Sequence, residues 1–281
     1  MEVDSENCVK GLIVGLAVEL LFVACWVFVA LVAGCATPPR VPVPVFAPDG
    51  TNQVPRAALV VNLTRVSASA YGGWLGDCAG TDRDAAIVAD ALDRLGVPYF
   101  ALADEAATRA GVKAAARAVG AKVAPGGLLM LYFSGHGGQQ PAFGAELDGL
   151  DETICLYDGQ LLDDTVWAMI QDVPRDVRVW LVTDCCNSGT NYRGAPHDYA
   201  KEVRRWWRRD PDLLHWGAAR DGQNAVGSAA GGFFTLALEA AYRPGLTYRE
   251  WFDAALPLVG GSQKPVMNFT GKDFSDTEAF R

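Results

Sequence analysis

The residues of this chain best suited to covalent chemistry follow two strand-like apolar runs. The run LLMLYFSGHGG delivers His136, and the run VRVWLVTDCCNSG delivers the adjacent Cys185 and Cys186. Unbroken apolar runs are typical of buried parallel strands, and reactive groups in open α/β folds lie beyond the carboxyl ends of such strands. We therefore expect both clusters in one crevice. An imidazole beside a thiol suits a cysteine nucleophile, because it promotes thiolate formation and protonates the leaving group.

Glycines accompany both clusters. Gly135, Gly137, Gly138 and Gly189 let the backbone approach a substrate closely and leave amides free to bind an oxyanion. The alternative interpretation is that His136 is a hydrogen-bonded loop histidine and that the cysteines are small core residues.

A polar residue precedes each candidate by two positions. Asp184 precedes Cys186, and Ser134 precedes His136. Residues two apart on an extended strand share a face, so each polar side chain is expected near its reactive neighbour. A carboxylate close to the nucleophile favours a substrate with a basic side chain.

Four sequence blocks occur in the same order as in a known family. They are SGHGG at 134 to 138, DGLDETICLYD at 148 to 158, LLDD at 161 to 164 and DCCNSG at 184 to 189. In these blocks the chain resembles the metacaspases, which are caspase-like cysteine peptidases. The resemblance implies a caspase-like α/β/α sandwich with a six-stranded, mostly parallel sheet. It also implies an endopeptidase that cleaves after Arg or Lys through a His/Cys dyad.

The same resemblance assigns individual roles. Cys186 takes the place of the nucleophile and His136 that of the base, while the amides of Gly137 and Cys186 supply the oxyanion hole. Cys185 is then a packed core residue.

The resemblance further implies an acidic pocket for the Arg or Lys side chain. Its members are Cys78, Asp84, Ser134 and Asp184. Asp82 is the alternative to Asp84, because extra residues separate Cys78 from the Asp-Ala pair of the family pattern.

Calcium is a candidate activator, although no cofactor is required for the predicted chemistry. Asp151, Asp163 and Asp164 match acidic residues that bind calcium in the family, and a hard cation needs several such oxygens. The alternative is that Asp163 and Asp164 complement the dipole of a helix that begins there. Asn187 replaces the histidine that usually follows the nucleophile, and Arg193 stands in the stretch where the family has a further acidic ligand.

The elements that must position these residues alternate along the chain. Strands are predicted at 57 to 64, 97 to 104, 128 to 134, 177 to 184, 212 to 219 and 265 to 270. Helices are predicted at 82 to 95, 105 to 119, 163 to 172, 231 to 243 and 248 to 259, and a loop or hairpin at 146 to 159. Strands that alternate with helices indicate a mostly parallel sheet covered on both faces.

Three segments are predicted: an N-terminal membrane anchor or lipoprotein signal at 1 to 36, a proline-rich linker at 37 to 55, and a peptidase domain at 56 to 281. Residues 11 to 34 are apolar apart from Glu19 and long enough to span about 30 Å of hydrocarbon. This predicts a membrane-associated protein with a single N-terminal span. The alternative is a bacterial lipoprotein processed at Cys35.

Composition limits the remaining possibilities. A formal net charge of -9 opposes a nucleic-acid surface, and the seven cysteines lack the spacing of a disulfide scaffold or metal knuckle. The predicted partner is a polypeptide with Arg or Lys before the scissile bond. The Arg/Trp-rich stretch at 204 to 209 is a solvated face, a membrane-surface patch or a self-processing site. Two other functions stay open, a catalytically silent caspase-fold scaffold and a generic α/β thiol hydrolase.

Overall fold

The computed structural model describes residues 53–142, 149–192, 210–261 and 263–281, all within the compact unit Val41–Arg281. The strands are β1 (Val54–Asn62), β2 (Tyr99–Ala103), β3 (Val123–Ser134), β4 (Gly137–Pro141), β5 (Leu150–Leu156), β6 (Gly159–Leu162), β7 (Arg178–Asp184), β8 (Leu213–Gly217), β9 (Gly227–Ser228), β10 (Gly231–Gly232) and β11 (Val266–Thr270). The α-helices are α1 (Thr81–Arg94), α2 (Arg109–Gly120), α3 (Asp163–Gln171), α4 (Phe233–Ala241) and α5 (Tyr248–Val259).

Six strands form the main sheet in the order β11-β8-β7-β3-β1-β2. Every neighbouring pair is parallel except β8 and β11, which are antiparallel. The predicted six-stranded, mostly parallel sheet is thereby confirmed. Because β3 and β7 are parallel neighbours, their carboxyl ends lie side by side, with Ser134 opposite Asp184.

The core lies on both faces of this sheet. Alternate residues of β1 divide between two apolar clusters, with Leu59 in one and Val60 in the other. The first cluster includes residues of α2 and α3, such as Val119, and the second includes residues of α1, α4 and α5, such as Trp251. This arrangement is an α/β/α sandwich, as the sequence predicted.

Two predicted element boundaries shift for local reasons. Residues 104–106 form a 3-10 turn, and α2 begins only after Thr108, whose hydroxyl oxygen accepts a hydrogen bond from the Gly111 amide at 3.0 Å. The helix predicted from residue 231 begins at Phe233, because Gly231 and Gly232 pair with β9. For residues 146 to 159 the sequence predicted a loop or a hairpin. The hairpin is confirmed, because β5 pairs with β6. Strand β4 pairs with β5 and completes a small antiparallel sheet.

The predicted membrane localisation needs correction. Spanning a bilayer takes about 20 apolar residues in a helix, whereas the longest helix among the described residues, α1, has 14. No helix in the described part of the chain is long and apolar enough to cross a membrane. The prediction of a membrane-associated protein with a single span is corrected accordingly. Residues 11 to 34 and Cys35, on which it was based, lie outside the described residues, as does the stretch at 204 to 209. The division of the chain at residues 36 and 55 stays a prediction.

Candidate active site

The carboxyl ends of β3 and β7 bring the two predicted clusters together. His136 and Cys186 each follow, by two positions, a member of the paired Ser134 and Asp184. The Gly135 amide donates to the Asp184 carbonyl at 3.3 Å, which joins the two strand ends. Gly137 packs so tightly that a Cβ atom there would overlap the carbonyl oxygen of Cys186. Only glycine therefore fits where the start of β4 passes the Cys186 carbonyl.

His136 is half-buried and has a free ring nitrogen. Its Nε2 atom is buried and has no hydrogen-bond partner among the described residues. The indole of Trp74 packs on the imidazole, with ring centroids 4.8 Å apart and planes inclined by 53°. The backbone is held as well, because the Cys155 amide donates to the His136 carbonyl at 2.9 Å. Nε2 is thus available for proton transfer on a ring held in place by its neighbours.

Cys186 carries a free, half-buried thiol at the start of a sharp turn. Asn187, which follows it, has a φ of 48°, a left-handed conformation that asparagine tolerates better than most residues. Its side-chain oxygen accepts from the Gly222 amide at 3.0 Å, and its own amide donates to the Gln223 carbonyl at 3.0 Å. The turn that presents Cys186 is therefore anchored to a distant loop.

The neighbouring Cys185 points into the core instead. It is 1% exposed, and its sulfur accepts from the Asn191 side-chain amide at 3.3 Å. Burial raises the pKa of the Cys185 thiol well above its usual value. His215 is likewise buried, with Nε2 3.0 Å from the Thr183 hydroxyl, and burial lowers its pKa to about 3. Cys185 and His215 have the environment of core residues.

Two buried carboxylates lie beside the strand ends. Asp84, in the first turn of α1, accepts from the Ser134 hydroxyl at 2.7 Å and from the Gly232 amide at 2.8 Å. Asp184 accepts from the amide and the hydroxyl of Thr235, at 3.0 and 2.7 Å. Sequence reasoning missed Gly232 and Thr235, because they lie about 50 residues after Cys186 and carry no catalytic signature.

The pKa values of Asp84 and Asp184 are both raised, as is usual for buried carboxylates that have no cationic partner. Burial raises the pKa of Asp84, although the bonds from Ser134 and Gly232 oppose the rise. Burial and the charge of Asp84 raise the pKa of Asp184 to about 7. Among the described residues, neither carboxylate forms an ion pair with Lys or Arg. The hydrogen-bond donors that reach the two carboxylates are neutral groups.

Cys78 and Asp82 have different positions relative to this pocket. The Cys78 thiol is half-buried, and its pKa is raised to about 11, first by burial and then by the charges of Cys186, Asp84 and Asp184. Asp82 is exposed on the outer side of α1. The structure thus joins Asp84 to Ser134 by a hydrogen bond and places Ser134 opposite Asp184. Cys78 lies near enough to Cys186 and to both carboxylates for their charges to act on its thiol, whereas Asp82 lies in solvent.

The three candidate calcium ligands lie near one another. Besides burial, the charge of Asp164 raises the pKa of Asp151, and the charges of Asp151 and Asp164 raise the pKa of Asp163. Asp163 is fully buried. Its Oδ1 atom accepts from the Asp164 amide at 2.7 Å, whereas its Oδ2 atom has no hydrogen-bond partner among the described residues. Burial raises its pKa to about 7. Asp151 is half-buried and Asp164 is exposed. In the described part of the chain, no group of three His, Cys, Asp or Glu side chains could hold a metal ion. No reaction step is routed through calcium, and its role as an activator stays a prediction.

Comparisons with known proteins identify relatives of this chain. Residues 98–193, which include His136 and Cys186, match the family model described as metacaspase, peptidase C14 domain. Metacaspase-1 of Schizosaccharomyces pombe is 32% identical over 136 residues, which are 41% of this chain and 32% of that protein. Metacaspase-1 of Arabidopsis thaliana is 38% identical over 71 residues, which are 23% of this chain and 19% of that protein. The match thus spans at most about a third of either relative.

A solved structure covers more of the chain. A protein of Geobacter sulfurreducens has a similar fold, with a TM-score of 0.67 and 27% sequence identity. The alignment covers 81% of this chain and 98% of that one. The similarity therefore extends over almost the whole described fold.

Proposed function

We propose that this chain, a metacaspase-like member of the caspase-type cysteine peptidases, cleaves peptide bonds after Arg or Lys. Cys186 is the nucleophile and His136 is the general base. The close packing of Gly137 on Cys186, and the adjacent ends of β3 and β7, support this pairing.

The reaction follows from these roles. His136 takes the proton of the Cys186 thiol, and the sulfur attacks the scissile carbonyl carbon to form a tetrahedral oxyanion. The amides of Gly137 and Cys186 stabilise this oxyanion. When the intermediate collapses, the C–N bond breaks and the leaving nitrogen takes the proton from His136. A water molecule, deprotonated by the same imidazole, then hydrolyses the thioester and releases the second product.

The observation that carries the specificity is the buried pair Asp84 and Asp184. Two carboxylates removed from water and close to each other disfavour full ionisation, which is the cause of the raised pKa of Asp184. A guanidinium that enters the pocket supplies the missing charge and can bond both carboxylates through its planar fork. Arginine is therefore expected to be cleaved faster than lysine.

Cleavage profiling of the full chain on a peptide library tests the proposal. Arg should lead before the scissile bond, followed by Lys. Asp84→Asn and Asp184→Asn should each lower kcat/KM for arginyl substrates by about two to three orders of magnitude, because a buried guanidinium then lacks a partner. Asp82→Asn is the matched control, since Asp82 lies on the same helix but is exposed, and it should leave the profile unchanged.

Two outcomes would contradict the proposal. A wild-type preference for Asp or an apolar residue before the scissile bond would exclude the acidic pocket. If the wild-type protein cleaved no peptide of the library although its Cys186 thiol could still be alkylated, the catalytically silent scaffold would be favoured.

A further inference from the structure

An aromatic loop lies against the proposed general base. Trp74 packs on the His136 imidazole and is itself held by Tyr71, whose ring meets the indole edge to face at 5.8 Å. The Tyr71 hydroxyl donates to the Leu156 carbonyl at 2.7 Å, which ties the loop to β5. Gly76 lies under the indole, where a Cβ atom would come within 3.2 Å of the ring. The position of Trp74 is therefore fixed by packing.

One side of this indole nevertheless faces solvent. Trp74 is 47% exposed and the adjacent Leu75 is 54% exposed. The exposed large apolar side chains among the described residues are Trp74, Leu75, Leu256, Leu258 and Phe269. Trp74 and Leu75 are adjacent in sequence, and Trp74 packs on His136. An exposed apolar surface at this point is suited to an apolar group of the substrate.

The proposed reaction indicates which residue of the substrate would contact Trp74. In the proposed reaction His136 protonates the leaving nitrogen, so its imidazole lies within about 3 Å of the backbone of the residue after the scissile bond. The Trp74 indole packs directly on that imidazole, so it lies about one side-chain length from the substrate residue after the scissile bond. Trp74 therefore borders the leaving-group side of the cleft, whereas Asp84 and Asp184 border the side before the bond.

We propose that Trp74 is a specificity-determining residue that contacts the side chain immediately after the scissile bond and selects an apolar or aromatic residue there. Leu75 extends the same surface. The inference rests on the proposed peptidase function and adds a second requirement to it. The preferred sequence is then a basic residue followed by an apolar one. Stacking and burial of one aromatic side chain correspond to a preference of about tenfold over glycine.

Internally quenched peptides with Arg before the bond and Phe, Leu, Gly or Asp after it test this with the full chain. The wild type should cleave the Phe and Leu peptides with a kcat/KM about tenfold above that for Gly, and should cleave the Asp peptide most slowly. Trp74→Ala should remove the difference, and Trp74→Phe should retain most of it. Phe269→Ala is the matched control, because Phe269 is an equally exposed aromatic residue on the edge strand β11, and it should leave the preference intact.

A second readout separates this role from an effect transmitted through His136. A peptidyl-arginine chloromethyl ketone alkylates the nucleophile, losing chloride as the C–S bond forms, and has no residue on the leaving-group side. Its inactivation rate should change by less than about twofold in Trp74→Ala. Equal losses in alkylation and in cleavage of all four peptides would overturn the inference, as would a wild type that cleaves all four equally. A wild type that is neither active nor alkylated refutes the peptidase function, and the inference falls with it.

Discussion

At the scale of single residues, the two adjacent cysteines have opposite environments and should respond differently to mutation. Cys186→Ala and His136→Ala should each abolish turnover, because thiolate attack needs both groups. Cys185→Ala should keep most of the activity and lose about 1 to 2 kcal/mol of stability, since it removes a small buried side chain. Peptidase assays and urea unfolding of the three variants measure both effects.

The outcome that would reverse the assignment is specific. If Cys185→Ala lost all activity while Cys186→Ala kept it, and both variants unfolded at the urea concentration expected from their packing, Cys185 would be the nucleophile.

Ionised Asp184 should lower the stability of the protein at the pH at which it binds a cationic substrate, whereas protonated Asp184 should not. Its pKa is raised to about 7 in the native state but lies near 4 in the unfolded chain, so the native state holds the extra proton between these values. This stabilising contribution is present below about pH 4 and is lost as the pH rises through about 7. Asp184→Asn keeps an oxygen for the bonds from Thr235 and should melt several degrees above the wild type at pH 8. Thermal melts at about pH 4, where the two proteins should differ little, provide the comparison.

The activity of the wild type should depend on pH in the opposite sense. A cationic substrate needs the ionised carboxylate, so kcat/KM for an arginyl peptide should rise between pH 6 and pH 8 as Asp184 loses its proton. The measurement is a pH profile of kcat/KM. In Asp184→Asn any dependence that survives would belong to other groups, and an unchanged rising limb would remove Asp184 as its cause.

At the scale of elements, the site depends on how closely the start of β4 approaches the end of β7. Gly137→Ala places a methyl group on the Cys186 carbonyl, so the two segments must separate. We expect kcat/KM to fall by about 100-fold, because a displacement of about 1 Å misaligns the nucleophile and the oxyanion donors. Stability should fall by about 1 to 3 kcal/mol.

Gly261→Ala is the matched control for this element. A Cβ atom at Gly261 would meet nothing within 4 Å, so both activity and unfolding midpoint should match the wild type. If Gly137→Ala retained full activity, the packing of β4 on the nucleophile loop would have no catalytic role.

At the scale of the whole molecule, an aromatic cluster ties the last residues of the chain to the sheet. Phe280 is 5% exposed and packs on Trp180, with ring centroids 5.3 Å apart. Its amide donates to the Tyr248 hydroxyl at 3.1 Å. Phe280→Ala should cost about 3 to 5 kcal/mol of unfolding free energy, because it opens a cavity in this cluster.

Urea unfolding checks this value against an exposed phenylalanine. Phe269→Ala, on the surface of β11, should change stability by about 0.5 kcal/mol or less. Similar losses in both variants would mean that the aromatic cluster does not hold the end of the chain in place.

The sequence by itself determined the class of the fold and the segments that carry the chemistry. Unbroken apolar runs such as β3 and β7 are local signals, because a strand buried on both faces must be apolar throughout. The residues just past such a run are equally local, which is why His136 and the adjacent Cys185 and Cys186 could be predicted before any fold was known. The choice of Cys186 over Cys185 came from the family resemblance. The prediction of membrane localisation was wrong, because no helix among the described residues is long and apolar enough to cross a membrane.

Only the tertiary structure decided what surrounds these residues. Strand order and register place Ser134 opposite Asp184, and they are set by long-range packing that no local pattern encodes. Gly232 and Thr235 reach the two carboxylates from a segment far along the chain. Trp74 meets His136 in the same way. Burial, unpaired charge and ring contact are properties of the assembled fold, since they depend on which distant segments exclude water from a side chain.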